Sequence, residues 1–175
     1  FTINFYGLAK KNNFDLSKVD QKTLTGCVTF IDIKIHKLKL FSKNGLCEDS
    51  FNFIRAGGII DEIIILDSLN DGIDFDFSSL QVNKIDIKNS GNDCIDLSKG
   101  KYSFDNIKLN NCEDKGLSAG EKSLVQINNM LIDNSNLAIA SKDESEVLIN
   151  SLYANNVNYC LTAYRKKEEF SAGGY

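Results

Sequence analysis

The chain has 175 residues, of which 42% are hydrophobic and 25% charged, and its formal net charge is −4 at pH 7. This length fits one domain. A negative balance argues against nucleic-acid binding, which needs a basic face. No apolar run reaches the roughly 18 residues of a membrane-spanning helix, so we expect no membrane span. The absence of proline suits parallel strands, because proline removes a donor from a strand ladder.

The first 26 residues repeat only weakly. Lys10 to Asn13 are typical of a polar turn, and Phe14 and Leu16 fit the start of a strand. We predict that residues 1–26 form an N-terminal cap or the end of a preceding module. The next stretch, Cys27 to Leu40, alternates between apolar and polar residues and is predicted to be the first full coil of a repeat.

From residue 48 onward, a unit of 22 residues recurs six times in register. The third position of every copy is small, and the fourth is large and apolar. The small residues are Ser50, Gly72, Cys94, Gly116, Ala138 and Cys160, and the apolar ones are Phe51, Ile73, Ile95, Leu117, Ile139 and Leu161. A fixed period in the twenties is typical of a solenoid, in which each coil buries its apolar side against its neighbours.

Each unit contains a second apolar alternation, such as Ile85 and Ile87, followed by a polar corner such as Asn89 and Ser90. Alternation with period two indicates strands, and Asn and Ser favour tight turns. No unit has the ten or more helix-period residues that a helical repeat needs. We therefore predict an all-β fold, a right-handed parallel β-helix solenoid over residues 27–164, with about 22 residues per coil and about six to seven coils.

Residues 165–175 are charged and then glycine-rich, and we predict a C-terminal tail there. The last coil of a solenoid exposes a strand edge that invites pairing. We expect this edge to be covered by the tail, by further sequence of the same polypeptide, or by a partner in a homo-oligomer.

The five cysteines, at positions 27, 47, 94, 112 and 160, form an odd set without CxxC spacing. This argues against a disulfide framework and against a zinc site. Cys94 and Cys160 share the small column three coils apart, too far to meet. The sequence favours cysteine as a small buried filler.

Outward residues of the first strand in each coil form columns along the solenoid. One column contains Asn52, Asp74, Asp96, Ser118, Ala140 and Thr162, the next contains Asp76, Ser98, Gly120, Lys142 and Tyr164, and the preceding corner contains Asp49, Asp71, Asp93 and Lys115. Coil stacking places the carboxylates of neighbouring coils about 5 Å apart. Such a pair repels by about 3.5 kcal/mol at an effective dielectric of 20. Protonation, a bound cation or nearby lysines can relieve this repulsion, and aspartate at a corner is also an ordinary turn residue.

Four segments, at 70–74, 91–95, 115–120 and 138–142, resemble in order the signature blocks of polygalacturonase-type glycoside hydrolases. Those blocks read N-T-D-G-I-D, G-D-D-C-I, G-H-G-I-S-I-G and G-I-R-I-K. The resemblance implies the pectin-lyase-like superfamily of parallel β-helices. It also implies catalytic roles for Asp71 and Asp93 and a substrate-binding role for Lys142. This chain departs from the pattern at Asn92, Lys115 and Ala140, where the family has Asp, His and Arg.

We therefore expect a groove over coils three to six that binds or cleaves a carbohydrate polymer. A hydrolase would use Asp71 and Asp93 as acid and base. A lyase or epimerase would use Lys115 or Lys142 to remove a proton beside a carboxylate neutralised by Ca²⁺. Predicted substrate-binding residues are Asp74, Asp76, Asp96, Ser118, Glu121 and Tyr164, and the predicted metal ligands are Asp74 and Asp96.

Two non-catalytic alternatives remain open at this stage. The chain is then a carbohydrate-binding or adhesive module of a larger surface protein, or a rod that spaces other domains. An extracellular or cell-surface location is favoured in all three cases.

Overall fold

The computed structural model describes residues 1–8 and 24–175, which form a parallel β-solenoid of about six turns with about 22 residues per turn. All paired strands are parallel, and the described residues contain no helix. The predicted all-strand fold and coil length are confirmed. The strands are β1 (Thr2–Tyr6), β2 (Gly26–Ile31), β3 (Lys34–Gly45), β4 (Asp49–Ile54), β5 (Gly57–Ser68), β6 (Asp71–Asp76), β7 (Ser79–Ser90), β8 (Ile95–Ser98), β9 (Lys101–Gly120), β10 (Leu124–Lys142) and β11 (Glu146–Tyr164).

The strands stack into two ribbons that merge in the longer strands. The front ribbon runs β2-β4-β6-β8 and continues into the second halves of β9, β10 and β11. The back ribbon runs β1-β3-β5-β7 and continues into their first halves. The outer face of the front ribbon carries the acidic columns.

The apolar ladder is in the predicted register along the front ribbon. Phe51 pairs with Ile73, Ile73 with Ile95, and the pairing continues to Leu161. The members from Phe51 to Leu117 are fully buried. Leu161 differs, because its side chain is 63% exposed. Among the described strands, β11 pairs with β10 alone, so this rung of the ladder is covered from one side.

The corner after the back ribbon is built by residues in the left-handed conformation. Asp67, Asn89 and Asn111 have φ values of 63°, 61° and 67°. The side-chain amide of Asn89 donates to Asp67 Oδ1 at 2.7 Å, and that of Asn111 donates to Asn89 Oδ1 at 3.0 Å. Asn and Asp tolerate this conformation better than other residues with side chains. The corner therefore forms a ladder of amides that runs from coil to coil.

The prediction of cysteine as buried filler without disulfides is wrong, because four of the five cysteines form disulfides and the fifth is exposed. Cys27 bonds to Cys47, and Cys94 bonds to Cys112, at Cα–Cα distances of 5.3 and 5.4 Å. The partners are 20 and 18 residues apart. Because a turn of this solenoid takes about 22 residues, that separation returns the chain close to its starting point. Cys160 is free and exposed, so it is not buried filler either.

The two ends of the chain differ in what can be described. The turn predicted from Lys10 to Asn13 and the strand start at Phe14 and Leu16 lie outside the described residues, so the N-terminal cap stays a prediction. At the other end, the tail pairs with the start of the last coil: the N–H of Val147 donates to the carbonyl of Tyr175 at 3.0 Å.

No helix in the described part of the chain has the length and apolarity to cross a membrane.

Candidate acidic face

The outer face of the front ribbon gathers seven of the predicted site residues. We call this set the acidic face: Asp71, Asp74, Asp76, Asp93, Asp96, Lys115 and Lys142. Strands β6 and β8 present the carboxylates outward because alternate residues of a strand point to opposite faces. Asp74 pairs in register with Asp96 on the next coil, as predicted.

The corner members of the acidic face hold the next coil. Asp71 Oδ1 accepts hydrogen bonds from the Asp93 backbone N–H at 2.8 Å and from the Asn92 side chain at 2.7 Å. Asp93 Oδ1 in turn accepts from the Lys115 backbone N–H at 3.0 Å and from Lys115 Nζ at 3.3 Å. These carboxylates therefore have a structural task, which is to fix the backbone of the following corner.

The same contact recurs at the end of the solenoid. Asp143 Oδ1 accepts the backbone N–H groups of Lys166 and Lys167 at 2.6 and 2.9 Å. A carboxylate that caps the backbone one coil later is thus a device of this fold. It does not by itself indicate catalysis.

Burial sets the protonation of the corner carboxyls. Burial raises the pKa of Asp71 to about 6, against the hydrogen bonds from Asp93 and Asn92. Burial raises the pKa of Asp93 to about 7, against the charge of Lys115. Asp49, one coil earlier, also has its pKa raised to about 7 by burial. All three groups therefore titrate between mildly acidic and neutral pH.

Asp74 and Asp76 behave differently, because they lie on one face of one strand and interact with each other. Burial raises the pKa of Asp74 well above neutral, and the charges of Asp76, Asp49 and Asp96 raise it further. Burial also raises the pKa of Asp76, against hydrogen bonds from Asn52 and Asp74. The pair consequently holds a proton at neutral pH.

Asn52 completes this carboxyl pair. Its Nδ2 donates to Asp74 Oδ2 at 3.0 Å and lies 3.5 Å from Asp76 Oδ2. Asn52 shares the column of Asp74, but its residue type alone does not predict a role in the site. Its position one coil before Asp74 does predict a contact, because neighbouring coils are only one strand spacing apart.

Lys142 lies on a later coil than the carboxylates, and its side chain extends back toward Asp96. Its Nζ is 4.0 Å from Asp96 Oδ1, although the two residues are two coils apart. The lysine side chain is 8% exposed and that of Asp96 is 33% exposed. Lys142 passes over Gly120, where a Cβ atom would lie 3.5 Å from Lys142 Cε. Asp96 is therefore partly exposed, as is Asp74 one coil earlier in the same column.

Several predicted outward positions are buried. Ser118 and Ala140 are fully buried, so Ser118 has no open path to a substrate in this arrangement. The Ser118 hydroxyl and Asn52 Oδ1 find no hydrogen-bond partner among the described residues. The column is thus covered at Asn52 and at Ser118, and partly exposed at Asp74 and Asp96 between them.

The remaining predicted binding residues lie on later coils of the solenoid. They are Glu121 and Tyr164. Glu121 forms an ion pair with Lys167 of the tail. Tyr164 pairs in register with Lys142 and is 37% exposed. Both border the acidic face without contacting its carboxyl pair.

The cavities of the solenoid lie elsewhere. One of about 340 Å³ follows the amide ladder near Asn89, and one of about 470 Å³ lies on the back ribbon near Gln81. A third, of about 420 Å³, opens at the last coil. None of these three includes a member of the acidic face. The predicted groove over coils three to six stays a prediction.

Within the described part of the chain, no group of three or more His, Cys, Asp or Glu side chains is placed to hold a metal ion. The cation site at Asp74 and Asp96 stays a prediction. The chain matches no protein-family model, no curated protein and no solved structure.

Proposed function

We propose that this chain acts on a carbohydrate polymer by acid–base catalysis at the acidic face. Asp74 is the proton donor, and Asp96 is the carboxylate that works with it. The observation that carries this proposal is the raised pKa of Asp74. The Asp74 carboxyl keeps its proton at neutral pH, and it lies one coil away from Asp96, which solvent reaches.

Hydrolysis of a glycosidic bond needs this combination. A carboxylic acid protonates the leaving oxygen, and a second carboxylate attacks the sugar or activates a water. Environments that separate the pKa values of two carboxyls assign these roles. One coil spacing puts the two groups about 5 Å apart, close to the separation of an acid and a nucleophile and shorter than the roughly 6.5–9.5 Å of an acid and a base that share a water. The proposed outcome is hydrolysis with retention.

Lys142 positions Asp96 in this scheme, because its buried ammonium lies 4.0 Å from Asp96 Oδ1. A lyase or epimerase reaction with Lys115 as base is less well supported. Burial lowers the pKa of Lys115, but the hydrogen bond to Asp114 and the charge of Asp93 outweigh it and raise that pKa. An ammonium held by two carboxylates is a poor base.

The corner contacts of Asp71, Asp93 and Lys115 favour a positioning role over the catalytic one that the resemblance implies. These residues fix the corner that leads into the strand of Asp96. The outer face runs along the solenoid axis, which suits a polymer that spans several coils.

The two disulfides fit an oxidising compartment, in keeping with an extracellular or cell-surface location.

A second candidate is a non-catalytic module, adhesive or structural. The observation that favours it is the continuity of polar ladders between coils, such as Asp67–Asn89–Asn111, which stiffen a rod without any chemistry. In that case the carboxyl pair contacts a ligand or nothing at all.

The test is incubation with a panel of acidic and neutral polysaccharides, with the release of reducing ends as readout, with and without chelator. We expect Asp74→Asn and Asp96→Asn to remove most of the activity. Asp67→Asn is the matched control, because asparagine already occupies this ladder position in the next coils. Loss of activity with chelator supports the Ca²⁺ prediction. Activity that survives both site substitutions overturns the assignment, and absence of activity on the whole panel favours the non-catalytic module.

A further inference from the structure

We propose that β11 is a self-association surface, on which a second copy of this chain pairs edge to edge about a twofold axis. This inference does not depend on the proposed function. It rests on the strand edge, its charge, its exposed side chains and its cysteine.

Among the described residues, the edge of β11 that faces away from β10 meets only the tail. One side pairs with β10 from Glu146 to Tyr164. On the other side, the described residues contribute only the tail, whose Gly173 and Tyr175 bond to Glu144, Ser145 and Val147. Beyond Val147, a row of backbone N–H and C=O groups is left for another strand.

This edge lacks the charges that normally prevent pairing. Natural edge strands carry lysines, prolines or inward charges that discourage a second strand. β11 has a single charged residue, Glu146, among its 19 residues. The interior strand β9 is of similar length and carries Lys101, Asp105, Lys108, Glu113, Asp114 and Lys115. The interior strand β10 has two charged residues, Asp133 and Lys142, so β11 is the least charged of the three long strands.

Apolar side chains line the same end. Tyr159 and Leu161 are 62% and 63% exposed. Leu161, Val147 and Ile149 border the cavity of about 420 Å³ that opens into the core. A contiguous apolar opening on a protein surface marks an interaction site. Tyr175 of the tail also lines this cavity.

A second copy is the occupant that fits these observations. A twofold contact places each patch against itself, so a charged edge would repel its own image, whereas this neutral edge does not. Cys160 lies on the edge and is the only cysteine of the five without a disulfide. A cysteine left over in a disulfide-bonded chain indicates pairing between molecules. Strands related by a twofold axis run antiparallel and close the edge on both copies.

Sedimentation equilibrium of the full chain tests the proposal. We expect twice the 19.5 kDa chain mass at high protein concentration. Leu161→Lys should weaken association about tenfold or more, since it sets two ammonium groups against each other in an apolar contact. Ile59→Lys is the control, because Ile59 is an exposed apolar residue on the back ribbon, away from this edge, and should leave the dimer intact.

Alkylation of Cys160 provides a measurement on the unchanged chain. Its rate should fall as protein concentration rises, because the dimer covers the thiol. A strictly monomeric chain with a constant alkylation rate overturns the proposal. Open-ended growth beyond the dimer overturns the twofold arrangement and indicates head-to-tail stacking. An equal effect of both lysine substitutions shows that β11 is not the interface.

Discussion

Two coils of this solenoid carry the same seven repeat positions and use them in opposite ways. Residues 92–98 lie in the middle, and residues 158–164 form the last coil. Ile95 is fully buried and Leu161 is exposed; Cys94 forms a disulfide and Cys160 is free; Asp96 faces Lys142 and Thr162 has no charged counterpart. The comparison indicates that the repeat fixes where a side chain points, whereas the coils above and below decide what it does.

The largest expected effect tests that statement at the apolar ladder. Ile95→Asp should lower the free energy of unfolding by about 4 kcal/mol or more, because it leaves an unpaired charge between two covered rungs. Leu161→Asp, at the same repeat position, should cost about 1 kcal/mol or less in the monomer. Urea unfolding followed by circular dichroism measures both. Similar losses for the two variants contradict the view that neighbouring coils set the burial.

The cysteines give the next difference. Replacing both Cys94 and Cys112 by Ser should cost about 2–4 kcal/mol, the usual contribution of a disulfide that closes a loop of this length. Cys160→Ser should leave the unfolding midpoint of the monomer unchanged, because its thiol is exposed and unbonded. Thermal melts under non-reducing conditions compare the two. A reducing agent should lower the melting temperature of the parent and of Cys160→Ser more than that of the double variant, which keeps only the Cys27–Cys47 disulfide.

The sequence predicts the architecture of the molecule well, because a period of 22 residues with fixed small and apolar positions leaves few alternatives. The number of cysteines and the lack of CxxC spacing do not predict the disulfides. The separations of 18 and 20 residues do, because they are nearly one turn of the predicted coil. Once the period is known, residues almost one turn apart are neighbours in space.

The candidate site was predictable in position and less so in role. The columns of Asp74 and Asp96 follow directly from the period. The burial of Ser118 and the reach of Lys142 across two coils do not, because they depend on side-chain conformations and on neighbouring coils. The division of labour between Asp71 and Asp74 likewise needs atomic contacts, since one caps a backbone and the other meets carboxyls.

The acidic middle coils should also give the protein an unusual pH dependence. The pKa values of Asp49 and Asp93 are raised from an ordinary 3.8 to about 7. A carboxyl with a higher pKa in the folded state binds its proton more tightly when folded, so its contribution to stability is fully present below about pH 4. That contribution is lost as the pH rises through about 7, so we expect the free energy of unfolding to fall between pH 4 and pH 7.

Urea unfolding at a series of pH values measures this fall. Asp93→Asn should flatten part of the curve, because the amide does not titrate. The last described coil lacks these carboxyls, since Tyr159 and Thr162 occupy the positions of Asp93 and Asp96. Stability that rises steadily from pH 4 to pH 7 contradicts the burial of these carboxyls.

The smallest expected effect is the most informative about function. At pH 8, Asp93→Asn should change the free energy of unfolding by about 1 kcal/mol or less. The amide oxygen still accepts the Lys115 backbone N–H, while the loss of the ion pair with Lys115 is offset by relief of a buried charge. If Asp93 is a positioning residue, activity on the responsive polysaccharide should stay within about threefold of the parent, and Asp96→Asn should remove it. Loss of activity in Asp93→Asn with an unchanged melting temperature restores Asp93 to the catalytic role that the polygalacturonase-like segments imply, and moves the reacting carboxyls from the strand to the corner.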